Sequence, residues 1–318
     1  MRKIINIQNS RNMAQVLIAT VKPFSPAAIA EVKKVTEEAG YTLDLLEKYK
    51  DHSDLKSAVR NADALIVRSD RVDQEVIESA ENLKIIVRAG AGYDNIDLEA
   101  ASKAGVVVMN TPGQNSNAVA ELGIGMMIYL NRNGFNGTAG TELRGKKIGI
   151  HAYGYVGRIV GMIAKGLGMK VYAYDPYVDK VYIENDGVKC EESLESLYRK
   201  CQYISLHIPA NEKTKESINL ELMALMPEGA TLINTARKEV IHEPSLLSVF
   251  KQRSDFRYIS DIAPDCKEEI MNNYPGRAFF TPKKMGAQTA EANRNAGIAA
   301  AKQIVAFLEK GDTTFKVN

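Results

Sequence analysis

The sequence predicts an α/β protein made of two doubly wound parallel-sheet lobes. Three observations carry this expectation: the length, the alternation of strands with helices, and a break after which the alternation starts again. At 318 residues the chain is long for one core and suits two domains. Short β-rich runs alternate with helical patterns at the spacing of parallel sheets covered by helices on both faces. The rhythm breaks at Asn110-Thr111-Pro112-Gly113 and resumes at Lys147.

In the first series, a strand over 16–20 leads to a helix over 26–39 and a strand over 42–46. Helix 55–62 precedes strand 64–68, helix 74–80 precedes strand 84–87, and helix 98–104 precedes strand 106–109. The stretch 118–132 is apolar all round, which predicts a buried helix. The second series reads strand 148–151, helix 156–166, strand 170–174, helix 194–200 and strand 203–207. Helix 220–225 and strands 231–234 and 257–261 follow. A last helix over 293–310 is stopped by Gly311, as helices commonly are. Helices 118–132 and 293–310 are the expected crossings between the lobes. Residues 1–12 lack the apolar core of a secretion signal and read as an N-terminal extension.

Composition narrows the function. With 45% hydrophobic and 25% charged residues the chain has ordinary globular content. A net charge of +2 gives no electrostatic reason to expect nucleic acid or membrane as partner. Cys190, Cys201 and Cys266 form neither a C-x-x-C pair nor a cluster with histidine. That argues against a disulfide frame and a zinc site, and it suits a reducing cytosol. No apolar run approaches the ~18–20 residues of a membrane span.

The second lobe opens with K-K-I-G-I-H-A-Y-G-Y-V-G-R. Against the dinucleotide fingerprint G-x-G-x-x-G this is Ala152-x-Gly154-x-x-Gly157, with the first glycine replaced. Gly154 lets the backbone approach a pyrophosphate, and Gly157 lets the helix pack on the strand. The helix N-terminus at Tyr155 and Val156 offers N–H groups to the anion. Ala152 is tolerable if its φ is negative, because only positive φ demands glycine. Glycines alone would fit a plain connector equally well. Here they fall between a strand and a helix, and Asp175-Pro176 closes the next strand 18 residues beyond Gly157. An acid ~20 residues on is what the ribose requires. A carboxylate there repels a 2′-phosphate, so the expected cofactor is NAD rather than NADP.

Hydride transfer to a 2-keto acid needs a cation on the substrate and a proton donor for the new alkoxide. Arg237 stands just past the strand T-L-I-N-T, in N-T-A-R, where strand ends of an open parallel sheet face the ligand. Taken alone it would pass for a surface arginine. Of the four histidines, His52 opens a helix in the first lobe and His242 lies in a polar turn. His151 and His207 end strands on the adenosine side. The expected acid is missing.

The ordered set R-A-G-A-G-Y-D-N-I-D (88–97), N-T-P-G-Q-N-S (110–116), the phosphate turn, L-H-I-P (206–209), N-T-A-R (234–237) and T-P-K-K-M-G-A-Q-T (281–289) resembles the D-2-hydroxyacid dehydrogenases. It looks most like their phosphoglycerate-oxidising branch, over nearly the whole chain from Met13. The resemblance implies two Rossmann-like domains with the active site in the cleft between them. It assigns 13–111 with 296–318 to substrate, 112–295 to NAD, and a homodimer formed through the NAD-binding domain. The implied reaction is oxidation of 3-phospho-D-glycerate to 3-phosphohydroxypyruvate, the first step of phosphorylated serine biosynthesis. Arg68 and Ser69 match residues that handle the substrate phosphate, and Ala89, Gly90 and Asn115 match the substrate-carboxylate region. Thr235, Ala236 and Asp261 match residues around the nicotinamide, with Gly286 and Ala287 also on the cofactor. His207, Pro209 and Thr214 match the adenosine side. The regulatory C-terminal domain of longer relatives is expected to be absent.

Two departures stand out. Where the family has its catalytic histidine after Pro282, this turn is one residue longer and offers Lys283 or Lys284. Counting from Pro282 selects the first and counting back from Gly286 selects the second, so both stay open. The family's partner glutamate is Cys266 here, with Asp265 the nearest acid. Losing both together is coherent: a carboxylate stabilises an imidazolium, whereas an ammonium is charged without help. Lysine-for-histidine members resemble a short-form branch of the phosphoglycerate enzymes. The competing readings are a hydroxypyruvate or glyoxylate reductase of the same family, and a non-catalytic NAD(H)-binding sensor or corepressor. The missing histidine–glutamate pair favours the last of these.

Overall fold

Segments such as Leu-Ile-Val at 65–67 and Leu-Ile at 232–233 are apolar at successive positions, not alternately. That suits strands covered on both faces, as in parallel sheets. The computed structural model describes residues 13–318, so the N-terminal extension read over 1–12 lies outside the described residues. It shows two compact units, 13–115 with 290–318, and 116–289.

In the first unit β1 (Gln15–Thr20), β2 (Thr42–Glu47), β3 (Ala64–Val67), β4 (Ile85–Arg88) and β5 (Val107–Asn110) form one sheet. Its order is β2-β1-β3-β4-β5 and every pairing is parallel. Between strands run α1 (Pro26–Glu38), α2 (His52–Val59), α3 (Gln74–Glu78) and α4 (Leu98–Lys103). The C-terminal helix Ala290–Lys310 packs against α1 through small residues, Ala296, Gly297 and Ala300, which let the two backbones approach.

The second unit starts with α5 (Ser116–Asn131) and continues β6 (Lys147–His151), α6 (Tyr155–Gly166), β7 (Lys170–Tyr174), α7 (Lys180–Asn185) and β8 (Lys189–Cys190). After α8 (Leu194–Lys200) come β9 (Tyr203–Leu206), α9 (Leu220–Ala224), β10 (Thr231–Asn234) and α10 (Glu243–Gln252). β11 (Arg257–Ser260), α11 (Lys267–Asn273) and β12 (Ala278–Phe280) complete it, which makes the C-terminal helix α12. The seven strands run β12-β11-β10-β9-β6-β7-β8, all parallel. The chain winds outward from β6 in one direction and from β9 in the other. The β6/β9 junction is therefore the topological switch point, where such sheets open a crevice.

The units divide at 115/116 and 289/290, where the sequence suggested 111/112 and 295/296. The reason is that α5 begins at Ser116 and α12 at Ala290, and the first turns of a helix stay with the rest of it. Each of these helices lies wholly in one unit. Unforeseen were the short α7, β8, α11 and β12, and also α10, although Leu246, Val249 and Phe250 give it a helical apolar stripe. β9 and β11 end one residue earlier than expected, so His207 and Asp261 stand just beyond their strands.

Candidate active site

Parallel strands release their loops at one rim, and every candidate residue of the second unit lies on that rim. Across the sheet the order is the lysine turn after β12, Asp261 after β11, Thr235–Arg237 after β10, His207 after β9, the phosphate turn after β6 and Asp175 after β7. Strands lie ~4.8 Å apart, so the roots of the lysine turn and of Arg237 are separated by about 10 Å.

At the phosphate turn, Gly154 is the N-cap of α6 and a Cβ there would meet nothing within 4 Å. Gly157 faces the strand so closely that a Cβ would sit 2.2 Å from the Ala152 carbonyl oxygen. Ala152 overturns the expectation of negative φ: its φ is +79°. The strand must turn sharply there to aim the first N–H groups of α6, and alanine accepts the left-handed conformation that glycine adopts freely. Asp175 closes on the turn itself. Its Oδ2 accepts from the Tyr153 amide at 2.8 Å and its Oδ1 from the Tyr177 amide at 2.8 Å. The acid expected on the ribose is thus a clamp between β6 and β7.

His151 is buried with Nδ1 3.2 Å from the Tyr198 hydroxyl, and burial pushes its pKa down to about 4. His207, 2.9 Å from the Ser205 hydroxyl, is lowered to about 3 by burial and by the nearby His151. Both shifts favour neutral rings near pH 7, so neither offers an imidazolium there. Thr214 folds its loop, donating to the Pro209 carbonyl and accepting from the Asn211 amide at 2.9 Å.

Arg237 is placed by a residue the motif reading passed over. Buried Asn234 accepts from the Ala236 amide at 2.9 Å and donates to the Arg237 carbonyl at 2.8 Å. That side chain hooks N-T-A-R into a fixed bend, and an Asn at a strand end was the available signal. Thr235 Oγ1 is buried with no hydrogen-bond partner among the described residues. Lys283 and Lys284 are both exposed at the tip of their turn. Asp265, the acid nearest to the lost glutamate, is engaged by Lys238 at 2.6 Å. The Cys266 amide is held by Glu243 at 2.9 Å. Burial and Glu243 raise the Cys266 thiol to about 12, so it is no thiolate near pH 7.

The rim of the first unit gathers arginines. Arg68 Nη1 donates to the Lys22 carbonyl at 2.8 Å and Nη2 to Asn293 Oδ1, with the guanidinium 5.1 Å over the Phe24 ring. Burial lowers its pKa, which leaves an arginine charged at any ordinary pH. Ser69 beside it is exposed. Arg88, a second residue missed in sequence, donates from Nε to the Arg68 carbonyl at 2.9 Å. Its guanidinium fills the space beside Gly90, where a Cβ would fall 1.5 Å from Nη1. Gly90 has φ +149°, so this position needs glycine on both counts. Ala89 is buried, and Asn115 is partly buried as the last residue before α5.

The family described as "D-isomer specific 2-hydroxyacid dehydrogenase, catalytic domain" matches residues 16–318. A D-3-phosphoglycerate dehydrogenase of Methanocaldococcus jannaschii is 37% identical over 295 residues, covering 87% of this chain and 54% of that protein. The chain therefore spans about half the length of that relative. A hydroxypyruvate reductase of Thermotoga maritima is 34% identical over 295 residues, covering 86% and 92% of the two chains. The crystal structure of NAD+-bound 3-phosphoglycerate dehydrogenase from Entamoeba histolytica is similar at a TM-score of 0.87 and 46% identity. That match covers 96% of this chain and 99% of the other.

Proposed function

Because the chain belongs to the D-isomer specific 2-hydroxyacid dehydrogenase family, we propose that it oxidises 3-phospho-D-glycerate to 3-phosphohydroxypyruvate with NAD. The observation that carries the phosphorylated substrate is the pair Arg68 and Arg88, two guanidinium groups on one sheet rim. Arginine forks suit phosphate oxygens, and two cations suit a dianion. The Entamoeba relative, a 3-phosphoglycerate dehydrogenase with bound NAD+, supports both substrate and cofactor.

The residues present fit a dinucleotide. Gly154 opens onto free space at a helix N-terminus, and the buried Thr235 Oγ1 still lacks a partner. In this reading Gly154, Tyr155 and Val156 hold the pyrophosphate, with Gly157 keeping α6 tight on the sheet. Asp175 and Pro176 take the ribose, and His207, Pro209 and Thr214 border the adenosine. Thr235, Ala236, Gly286 and Ala287 border the nicotinamide, which when bound supplies the acceptor for the hydride from C2. Arg237 binds the substrate carboxylate and polarises the C2 oxygen. Nζ of Lys283 or Lys284 takes the C2 hydroxyl proton during oxidation and returns it during reduction. Ser69 assists Arg68 at the phosphate, and Ala89, Gly90 and Asn115 border the carboxylate.

For the protein partner the reading is a second copy packed on the NAD-binding unit. A groove of about 710 Å³ along α6 and α7 is edged by Tyr155, Met162 and Tyr182. These large side chains are exposed, at 62%, 64% and 45%, a concentration that a solvated face rarely shows. The three cysteines are free thiols, in keeping with a cytosolic enzyme. No helix among the described residues is long and apolar enough to cross a membrane.

A second reading, hydroxypyruvate reduction, is favoured by the Thermotoga relative, which is matched over 92% of its length. One assay separates the readings: NADH oxidation with phosphohydroxypyruvate, hydroxypyruvate and glyoxylate in parallel. Preference for the phosphorylated acid is the expected result. Arg68→Ala should then lose ~10- to 150-fold in affinity for that acid alone, the range of a charge-assisted contact. No turnover with any acid would leave the sensor reading.

A further inference from the structure

The turn that carries Lys283 and Lys284 is fastened at both ends to one carboxylate. Asp261, 2% exposed, accepts at Oδ1 from the Met285 amide at 2.9 Å, and the Thr281 hydroxyl lies 3.0 Å from the same oxygen. Its Oδ2 accepts from the Gly286 amide at 2.8 Å. The Thr281 hydroxyl has one proton, and it is shared with the Asp261 carbonyl, its shorter contact. Donors on both sides of the two lysines therefore converge on a single aspartate. A Cβ at Gly286 would lie 2.9 Å from Asp261 Oδ2 and 3.2 Å from Val119, so the turn packs closely against both.

A carboxylate offers about four lone-pair positions; two are taken by consecutive amides of the turn, and the shared Thr281 hydroxyl reaches a third. The resemblance placed Asp261 on the cofactor. Its contacts place it first on the protein's own backbone. We propose that Asp261 is a positioning residue: it fixes the lysine turn through the Met285 and Gly286 amides and so aims the proton-transfer lysine. The proposal rests on the reading that one of these lysines moves the proton. The physical reason is economical. A lysine tip has four rotatable stem bonds, and a flexible turn beneath it would multiply that freedom. Buried charge-assisted bonds to two consecutive amides remove the second source of error.

The test uses the whole chain with Asp261→Asn and Thr281→Val. Asparagine keeps one acceptor and turns an N–H₂ toward a donor. Valine keeps the shape of Thr281 and removes only its bonds, so it stays informative if the first variant folds poorly. Three readouts are needed: amide hydrogen exchange of the 281–287 segment, NADH affinity by fluorescence titration, and kcat. Faster exchange, unchanged NADH affinity and a ~10- to 100-fold fall in kcat are expected, since a misplacement of about 1 Å can cost ~100-fold. Unmoved exchange with weakened NADH binding would make Asp261 a cofactor contact and overturn the latch. Faster exchange with intact kcat would overturn the lysine assignment beneath it. Replacing the lysines themselves by Met tells these two failures apart.

Discussion

The phosphate turn and the lysine turn leave the same sheet, and each is tied down by an aspartate from the neighbouring strand. Asp175, beyond β7, holds the Tyr153 amide of the turn after β6 at 2.8 Å. Asp261, beyond β11, holds the Gly286 amide of the turn after β12 at 2.8 Å. The anchors match, and the difference lies in what each turn then presents. One offers backbone, through Gly154 and the start of α6. The other offers two exposed side chains, Lys283 and Lys284. A backbone site needs no side-chain order once the turn is fixed. A side-chain site inherits every looseness of its turn, so its anchor has to be the tighter of the two, and Asp261 is buried where Asp175 is only partly so.

The largest effect that tests this contrast falls on the side-chain turn. Lysine to methionine keeps the length and the apolar stem and removes the proton. At the responsible position, kcat should drop by ~100- to 10,000-fold while NADH binding persists, the range for a positioned acid–base group. The same change at the neighbouring lysine should cost far less. If both single variants and the double variant keep wild-type kcat, the pair is surface charge and the two turns have nothing functional in common.

Acid separates the two sides of the rim. His151, at the root of the phosphate turn, is lowered from 6.5 to about 4 by burial. Below pH 6.5 the unfolded chain binds a proton at this ring that the folded chain refuses. Stability therefore falls as acid is added, down to about pH 4, where the folded form protonates as well. The gap is worth ~3 kcal/mol when fully developed. His207, lowered to about 3, acts in the same direction. Urea unfolding followed from about pH 7 to about pH 5 should show the loss begin above the range of ordinary carboxylates. If one of the two lysines moves the proton as proposed, turnover should show no inflection near ~6.5 over the same range. A flat stability curve would mean that burial does not hold the His151 ring neutral.

What the sequence revealed follows the same division. The phosphate turn was legible because glycine at 154 and 157 answers a steric demand, and steric demands recur at fixed spacing. The two sheets were legible because strands covered on both faces need unbroken apolar runs. Asn234 and Arg88 were not, since an amide hook or a guanidinium folded over Gly90 has no spacing of its own and shows only in three dimensions. The roles of Asp175 and Asp261 were half legible. Their positions pointed to the cofactor, while their bonds to backbone amides were invisible until the neighbouring strands were paired. Ala152 was misread because sequence carries no sign of φ.

A smaller effect sharpens the comparison from the phosphate side. Asp175→Ala removes the charge proposed for the ribose together with the clamp on Tyr153 and Tyr177. The ratio of kcat/KM for NAD over NADP should fall by about tenfold, the loss of one hydrogen bond of ordinary strength. NAD affinity should weaken as well, because the turn is loosened. Asp175→Asn keeps acceptor geometry at one oxygen and should shift the ratio while weakening NAD less. An unchanged ratio in both variants would detach Asp175 from the cofactor and leave it a clamp alone, like its counterpart.

The smallest effect concerns Ala152, held at φ +79° where the fingerprint has its first glycine. The left-handed conformation costs an L-residue ~1–2 kcal/mol, which Ala152→Gly relieves. Against that stands the larger freedom of glycine in the unfolded chain, ~0.4–1 kcal/mol. The balance favours glycine by about 0.5–1 kcal/mol, the difference between those two ranges. Ala30, exposed in the middle of α1, provides the opposite case. There the same substitution meets no relieved strain and should destabilise by ~1 kcal/mol. Urea midpoints moving in opposite directions for the two variants would locate the strain at the phosphate turn. A loss of stability at both positions would show that the turn accommodates alanine without cost, and that its geometry is set by Asp175 and Gly157 rather than by the residue that bends the chain.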